Sequence, residues 1–304
     1  MTQSAVAANL SKDSEAGASA DTSERALPLR AADSPVGPAK ILALANQKGG
    51  VGKTTTAINL GAALAESGRK TLLIDLDPQG NASTGLGIPA AQRRQSTYHV
   101  LTEDTRLTDV AIESGAPGLY IAPASADLSG IDAELSEAED RAQRLKEALA
   151  AGGEESVTNC YDYIILDCPP SLSLLTVNAL TAADSVIVPL QCEFFALEGL
   201  TQLLGTIKHI QSRLNPRLAI QGIVLTMYDR RNNLSAQVAE DVRLNLHESV
   251  FRTIVPRNVR LSEAPSYALP GLLYDSECAG SQAYRSLAAE LLEQDQEPQE
   301  RTAP

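Results

Sequence analysis

Between residues 41 and 292, short apolar runs alternate with stretches whose apolar residues recur at helical spacing, and polar turns separate the two. KILALAN (Lys40 to Asn46) reads as a strand. From Thr54 to Glu66 the apolar positions Ala57, Leu60 and Leu64 fall on one helix face, and Gly68 ends the pattern. Further apolar runs lie within KTLLIDLDPQGN (Lys70 to Asn81), YDYIILDCPPSLS (Tyr161 to Ser173), SVIVPLQ (Ser185 to Gln191) and AIQGIVLTM (Ala219 to Met227). Helical stretches are predicted near 196–212 and 234–246. Strands that are apolar throughout, with helices between them, predict an α/β fold: a single doubly wound, mostly parallel sheet flanked by helices.

No Pro/Gly/Ser-rich linker interrupts this series, and 43% hydrophobic content over 304 residues is enough to bury a full core. One domain is therefore predicted over residues 41–292. Residues 1–40 hold Ala, Ser, Asp, Glu and Pro with almost no aromatic or β-branched residues. Such a segment cannot bury enough apolar area to offset its ordering entropy, so it is predicted to be a disordered tail. It has the features of neither a secretory signal nor an organelle transit peptide. Residues 293–304, EQDQEPQERTAP, form a short acidic tail. No segment reaches the roughly 20 apolar residues of a membrane span, and the chain is expected to be soluble and intracellular. Cys160, Cys168, Cys192 and Cys278 contain no C-x-x-C pair, which favours buried free thiols over a zinc or redox site.

The first strand meets the glycine turn NQKGGVGKTTT (Asn46 to Thr56), and a helix follows. Strand, loop and helix in this order aim backbone N–H groups and the positive end of the helix dipole into one small volume, which suits a nucleotide phosphate. Gly49, Gly50 and Gly52 permit close approach. Lys53 would set its ammonium against the β- and γ-phosphates, and the Thr54 hydroxyl would ligate Mg2+. Asp75 and Asp77 end the second strand beside this loop, placed to hold Mg2+-bound or attacking water, although Asp is also a common turn residue. The apolar run YIIL ends likewise at Asp167, and Pro169 and Pro170 then stop the strand.

The loop departs from G-x-x-x-x-G-K-[ST], because Gln47 stands where the pattern has glycine and Lys48 follows it. It resembles the variant K-G-G-x-G-K-[ST] that marks the ParA/MinD family of P-loop ATPases. The resemblance covers roughly residues 41–292 and implies a P-loop NTPase-like fold, with ATP and Mg2+ as ligands. It implies that Lys48 reaches across a nucleotide-sandwich homodimer to phosphates bound by the partner subunit; a solvated loop lysine is the alternative. The segment from Lys48 through Gly49, Gly50, Val51, Gly52, Lys53 and Thr54 to Thr55 would hold the nucleotide. D-x-D-P-Q-G-N is matched at Asp75 to Asn81, which makes Asp77 the residue that orients or activates water and Asp75 a support of the loop. Asp167 would bind Mg2+ through water. IVPRNVRLSEAPS (Ile254 to Ser266) is similar to the family's adenine-side loop, where Pro256 and Asn258 would contact the base.

Members of the family load DNA, sit on membranes, position other machinery or pass electrons. A MinD-like protein is expected to end in a basic amphipathic helix, whereas this chain ends in YRSLAAELLEQDQEPQERTAP. Cys168 looks like a small residue of the acidic strand end, which disfavours an iron–sulfur role. The remaining branch partitions chromosomes or plasmids and binds DNA without sequence preference. The formal net charge is −13, yet residues 200–263 hold nine Lys/Arg against five acids, a balance of +4, so the other parts carry −17. MYDRRNNL and PRNVRLSEAPS resemble the Soj-type chromosomal segments in which arginines contact DNA, with Arg231 and Arg260 at the matching positions; a solvated helix face is the alternative. Leu269, Gly271 and the stretch DSECAGSQAY (Asp275 to Tyr284) depart from that pattern by lacking basic residues. The implied function is an ATPase, weak alone and stimulated by a ParB-type centromere-binding protein, in a cytoplasmic, nucleoid-associated setting with no membrane. The other implied reading is a MinD-like or pole-organising positioning ATPase.

Overall fold

In the computed structural model, which describes residues 37–296 apart from 104, 195, 247 and 248, eight strands share one sheet. They are β1 (Lys40–Leu44), β2 (Thr71–Asp75), β3 (Ile112–Glu113), β4 (Leu119–Ala122), β5 (Tyr163–Asp167), β6 (Ser185–Gln191), β7 (Ala219–Tyr228) and β8 (Val250–Pro256). Their order is β3-β4-β2-β5-β1-β6-β7-β8, and only the β3–β4 pair is antiparallel. The tail expected over residues 1–40 lies outside the described residues except for its last four. Residues 297–304 of the acidic tail lie outside them as well.

The alternation along each strand explains the two layers of helices. In β1, Ile41 and Ala43 join one core while Leu42 and Leu44 join the other. In β5, Ile164 and Leu166 face the first core and Tyr163 and Ile165 the second. A parallel sheet apolar on both faces must be covered on both. The first face packs against the helices Leu174–Ala182, Ala196–Arg213 and Asn233–Leu246, which supply Leu175, Leu203, Ile207 and Val242. The second packs against the helices Lys53–Glu66 and Ala279–Gln296, through Leu60, Leu64, Tyr284 and Leu287. The doubly wound sheet expected from the apolar runs is the one observed.

Two local features differ from the sequence reading. Residues 254–256, read as the start of a loop, end edge strand β8. Its exposed or half-buried Arg252 and Thr253 hide the strand from an apolar-run criterion, because an edge strand does not bury both sides. The last helix continues past residue 292 to Gln296. There Asp295 accepts a hydrogen bond from the Tyr163 hydroxyl (2.7 Å) and pairs with Lys40, which ties the helix to the N-terminal ends of β1 and β5. Among the described residues no helix is long and apolar enough to cross a membrane. All four cysteines are free; Cys168 and Cys192 are buried, whereas Cys160 and Cys278 are only half-buried.

Sheet order decides where the site can be. From β1 the chain passes to β2 on one side, and after β5 it crosses to β6 on the other. The crevice at such a reversal, outside the C-terminal ends of the strands, is where doubly wound sheets bind ligands. The loop after β1 opens there, flanked by the ends of β5 and β6.

Candidate phosphate-binding site

The glycine turn is built by conformations that side chains resist. Gly50 and Gly52 sit at φ +77° and +87°, in the left-handed region, and Gly52 precedes the first residue of the helix Lys53–Glu66. The Thr56 N–H closes the first helical turn on the Gly52 carbonyl (2.8 Å). The N–H groups at this helix start form a cradle for an anion. Lys53 is 6% exposed, and its ammonium doubles back to donate to the Lys48 carbonyl (3.1 Å). Burial pushes its pKa down, while the charges of Asp167, Cys168 and Asp77 hold it up.

Register brings the carboxylates together. Asp75 of β2 and Asp167 of β5 are paired neighbours, and Leu44, the last residue of β1, is the partner of Asp167 on its other side. Asp75 is fully buried but satisfied. Its carboxylate accepts the Asp77 N–H (3.1 Å), the Ser83 N–H (2.9 Å) and the Ser83 hydroxyl (2.6 Å). Burial raises its carboxyl to about 6 against those three hydrogen bonds. Asp75 thus ties the Asp77 backbone to Ser83. Asp77 is itself buried, with Oδ1 accepting the Gln79 N–H (3.0 Å).

Asp167 is different. It is fully buried, and neither of its carboxylate oxygens has a hydrogen-bond partner. Burial first, and the Asp75 charge second, push its carboxyl well above the ordinary range; Thr54 and Lys53 offset part of that rise. The Thr54 hydroxyl stands near without completing a hydrogen bond. Leaving a buried carboxylate unpartnered is costly. A hard divalent cation carrying its own waters, together with a ligand phosphate, would supply the missing contacts. Mg2+ is held in this manner, by one or two protein oxygens and not by an all-protein cage. The residues therefore fit Mg2+ at Thr54 and Asp167. No group of three or more His, Cys, Asp or Glu side chains suited to a metal occurs among the described residues.

Lys48 is directed differently from Lys53. Its ammonium pairs with Glu193 in the loop after β6, and both side chains are partly exposed, at 39% and 33%. The Asn46 carboxamide fixes the loop behind it: Oδ1 accepts the Lys48 N–H (3.0 Å), and Nδ2 donates to the Pro189 carbonyl (2.8 Å). Glu193 was missed by sequence reasoning. An acid just past the C-terminal end of strand SVIVPLQ meets the same criterion that singled out Asp77 and Asp167. Leu172, in the loop after β5, and Phe194, beside Glu193, are exposed apolar residues at 51% and 73%.

The other predicted contacts stand on the same edge. Pro256 pairs with Tyr228 across β8 and β7, and the Arg257 N–H donates to the Tyr228 carbonyl (3.0 Å). This brings the Asp229–Arg231 and Arg257–Arg260 segments side by side. Asn258 caps the helix Val259–Glu263, its Oδ1 accepting the Arg260 N–H (2.8 Å). Neither arginine is an unpaired cation. Arg231, whose side chain is 89% exposed, donates through Nε and Nη2 to both oxygens of Asp229 (3.0 and 2.9 Å) and holds that carboxyl down to about 2. Arg260 pairs with Glu263 (3.0 Å) and Asp275 (3.3 Å).

A protein-family model described as an AAA domain matches residues 39–220. The chain is 58% identical over 266 residues to the chromosome partitioning protein ParA of Caulobacter vibrioides, spanning 88% of this chain and 98% of that one. It is 51% identical over 252 residues to the sporulation initiation inhibitor protein Soj of Bacillus subtilis, spanning 83% and 98%. Among solved structures it resembles cobyrinic acid a,c-diamide synthase from Mycobacterium smegmatis with bound ADP and magnesium. The identity there is 38% and the TM-score 0.73, over 88% of this chain and 100% of the other.

Proposed function

The chain belongs to the ParA/Soj family of chromosome-partitioning ATPases, and from that premise we propose that it cycles between DNA-bound and free states by binding and hydrolysing ATP. The observation that carries this reading is the convergence of Lys53, Asp77 and the partnerless carboxylate of Asp167 on a loop whose second lysine, Lys48, reaches the surface.

The loop from Gly49 to Thr55 holds the phosphates of ATP, with Lys53 against the β- and γ-phosphates and Pro256 and Asn258 on the adenine side. Thr54 and Asp167 would hold Mg2+, which when bound would neutralise charge on the transferring phosphoryl group. Asp77, aimed by its hydrogen bond from Gln79 and braced by Asp75, orients the attacking water. Lys48 leaves Glu193 and crosses to the phosphates of a second copy. An exposed ion pair is worth roughly 1 kcal/mol or less, so a polyanion carrying several charges outcompetes Glu193 for the ammonium. The exposed Phe194, next to Glu193 in sequence, and the exposed Leu172 in the loop after β5 are suited to burial against that second copy. A ParB-type partner would complete the site and stimulate a slow intrinsic turnover. Residues 41–292 would act as one ATPase domain, cytoplasmic and nucleoid-associated.

The DNA-binding surface would combine Arg231 and Arg260, each of which follows one of the paired C-terminal ends of β7 and β8. Their half-buried carboxylate partners, Asp229, Glu263 and Asp275, weaken the local positive charge. Such pairs are weak enough for a phosphate backbone to displace. Two such surfaces in an ATP-bound dimer would meet one duplex. The test is binding to a random-sequence duplex with ATP, with ADP and with no nucleotide across a salt titration. Binding only with ATP is expected, and Arg231→Ala or Arg260→Ala should each flatten the log Kd against log salt slope by about 1. Absence of DNA binding in every nucleotide state would instead favour a positioning ATPase on a membrane or protein scaffold, which ATP-dependent sedimentation with liposomes detects.

A further inference from the structure

We propose that Thr226 is a positioning residue for the phosphate loop: its hydroxyl fixes the Val51–Gly52 peptide so that the Gly52 N–H faces the anion. This rests on the phosphate-site reading above. Thr226 lies on β7, two strands from β1, and is buried. Its Oγ1 donates to the Val51 carbonyl at 2.8 Å, across 175 residues of sequence. Val51 is buried too, so its carbonyl has to be met from within the protein.

A trans peptide is planar and sets its C=O and N–H on opposite sides. Anchoring the Val51 carbonyl on β7 therefore turns the Gly52 N–H away from β7 and into the loop. The Gly52 φ of +87° belongs to this arrangement. A second observation involves the next residue along β7. Met227 is one of two non-glycine residues with positive φ among the described residues, at +51°. Residues with a Cβ avoid this region, and such a conformation persists where the surroundings impose it. Here the Met227 side chain reaches the loop: its Cε lies 3.6 Å from the position a Cβ on Gly52 would occupy, and the Thr226 Cβ lies 3.9 Å from it. The hydroxyl thus fixes one peptide of the loop by hydrogen bonding, and the Met227 side chain fills the space in which a larger residue at position 52 would have to fit.

The experiment is Mg-ADP binding by the full chain, measured calorimetrically so that ATP-dependent dimerisation plays no part. Thr226→Val, which keeps the shape and removes the hydroxyl, should raise Kd about tenfold, the scale of one lost buried hydrogen bond. Thr226→Ser should stay within about twofold of the parent, since it retains the donor. Thr181→Val is the control. Its buried hydroxyl donates to the Val177 carbonyl (2.7 Å) within one helix, so it should lower the melting temperature and leave Kd unchanged. Should Thr226→Val fail to fold, Thr226→Ala removes the same donor without a steric demand. Parent-like affinity in Thr226→Val, or equal losses in the valine and serine variants, would overturn the role. If the parent itself bound no nucleotide, the phosphate-site reading would fall, and this inference with it.

Discussion

Asp77→Ala is expected to lower partner-stimulated phosphate release by about 10²- to 10⁴-fold, the contribution of one positioned acid–base group, while ATP still binds. The separation follows from the division of labour in the site. On the proposed reading the phosphate contacts would come from the loop, Lys53 and Thr54, whereas Asp77 stands just past the end of β2, two strands from β1, with its carboxylate accepting the Gln79 N–H. The substitution should leave the core undisturbed, because Asp75 holds the turn through Ser83 whether or not residue 77 carries a carboxylate. Without hydrolysis the ATP state cannot decay, so the variant should remain on DNA after a chase with competitor duplex. Rapid release from DNA in the presence of ATP would remove Asp77 from the role of water positioning.

Lys48→Ala is expected to leave the protein monomeric in Mg-ATP while nucleotide affinity changes little. Truncating one partner of a charge pair buried at an interface costs about 2–5 kcal/mol, which is roughly 30-fold or more in the dimer constant. Within the monomer its ammonium pairs with Glu193, a partly exposed pair of little net value, and its backbone hydrogen bonds survive the substitution, so folding should be little affected. Sedimentation velocity of Lys48→Ala and of an Asp77→Ala, Lys48→Ala double variant, in which hydrolysis cannot empty the site, reads this directly. A Lys48→Ala protein that dimerised normally with ATP would make Lys48 an ordinary loop lysine paired with Glu193.

The two effects are large because each residue acts on charge that no neighbour can replace. The DNA arginines differ in this respect. On the proposed reading Arg231 and Arg260 would share phosphate contacts with each other and with the same surface of a second copy, so each substitution alone should move the salt dependence by a modest step.

How much of this was legible in the amino-acid order depends on the range of the interaction. Lys53, Thr54, Asp77 and Asp167 could be named because each ends or follows a contiguous apolar run, and a strand end facing a glycine turn is a local pattern. The parallel sheet was legible for the same reason: buried strands need apolar residues at every position. β8 and the two-residue β3, at the two edges of the sheet, carried no such pattern, since edge strands are partly polar and their pairing is fixed by neighbours, not by their own residues; β4, apolar and buried throughout, is only four residues long and did not stand out as a run. The charge balance of residues 200–263 was countable, but the count misled about individual groups. Asp229 neutralises Arg231 from two residues away, while Asp275 reaches Arg260 only through the folding of the segment between them.

By itself, then, the sequence determined the doubly wound sheet, the phosphate loop and the acidic strand ends, because periodicity and short-range spacing are properties of the unfolded chain as much as of the folded one. Tertiary structure alone decided that Lys48 rests on Glu193, that Thr226 holds the Val51 carbonyl, and that Asp167 is left without a partner while Asp75 is satisfied. Those outcomes depend on which strands become neighbours and on how burial divides a few polar atoms between them, and strand order is set by the packing of the whole core.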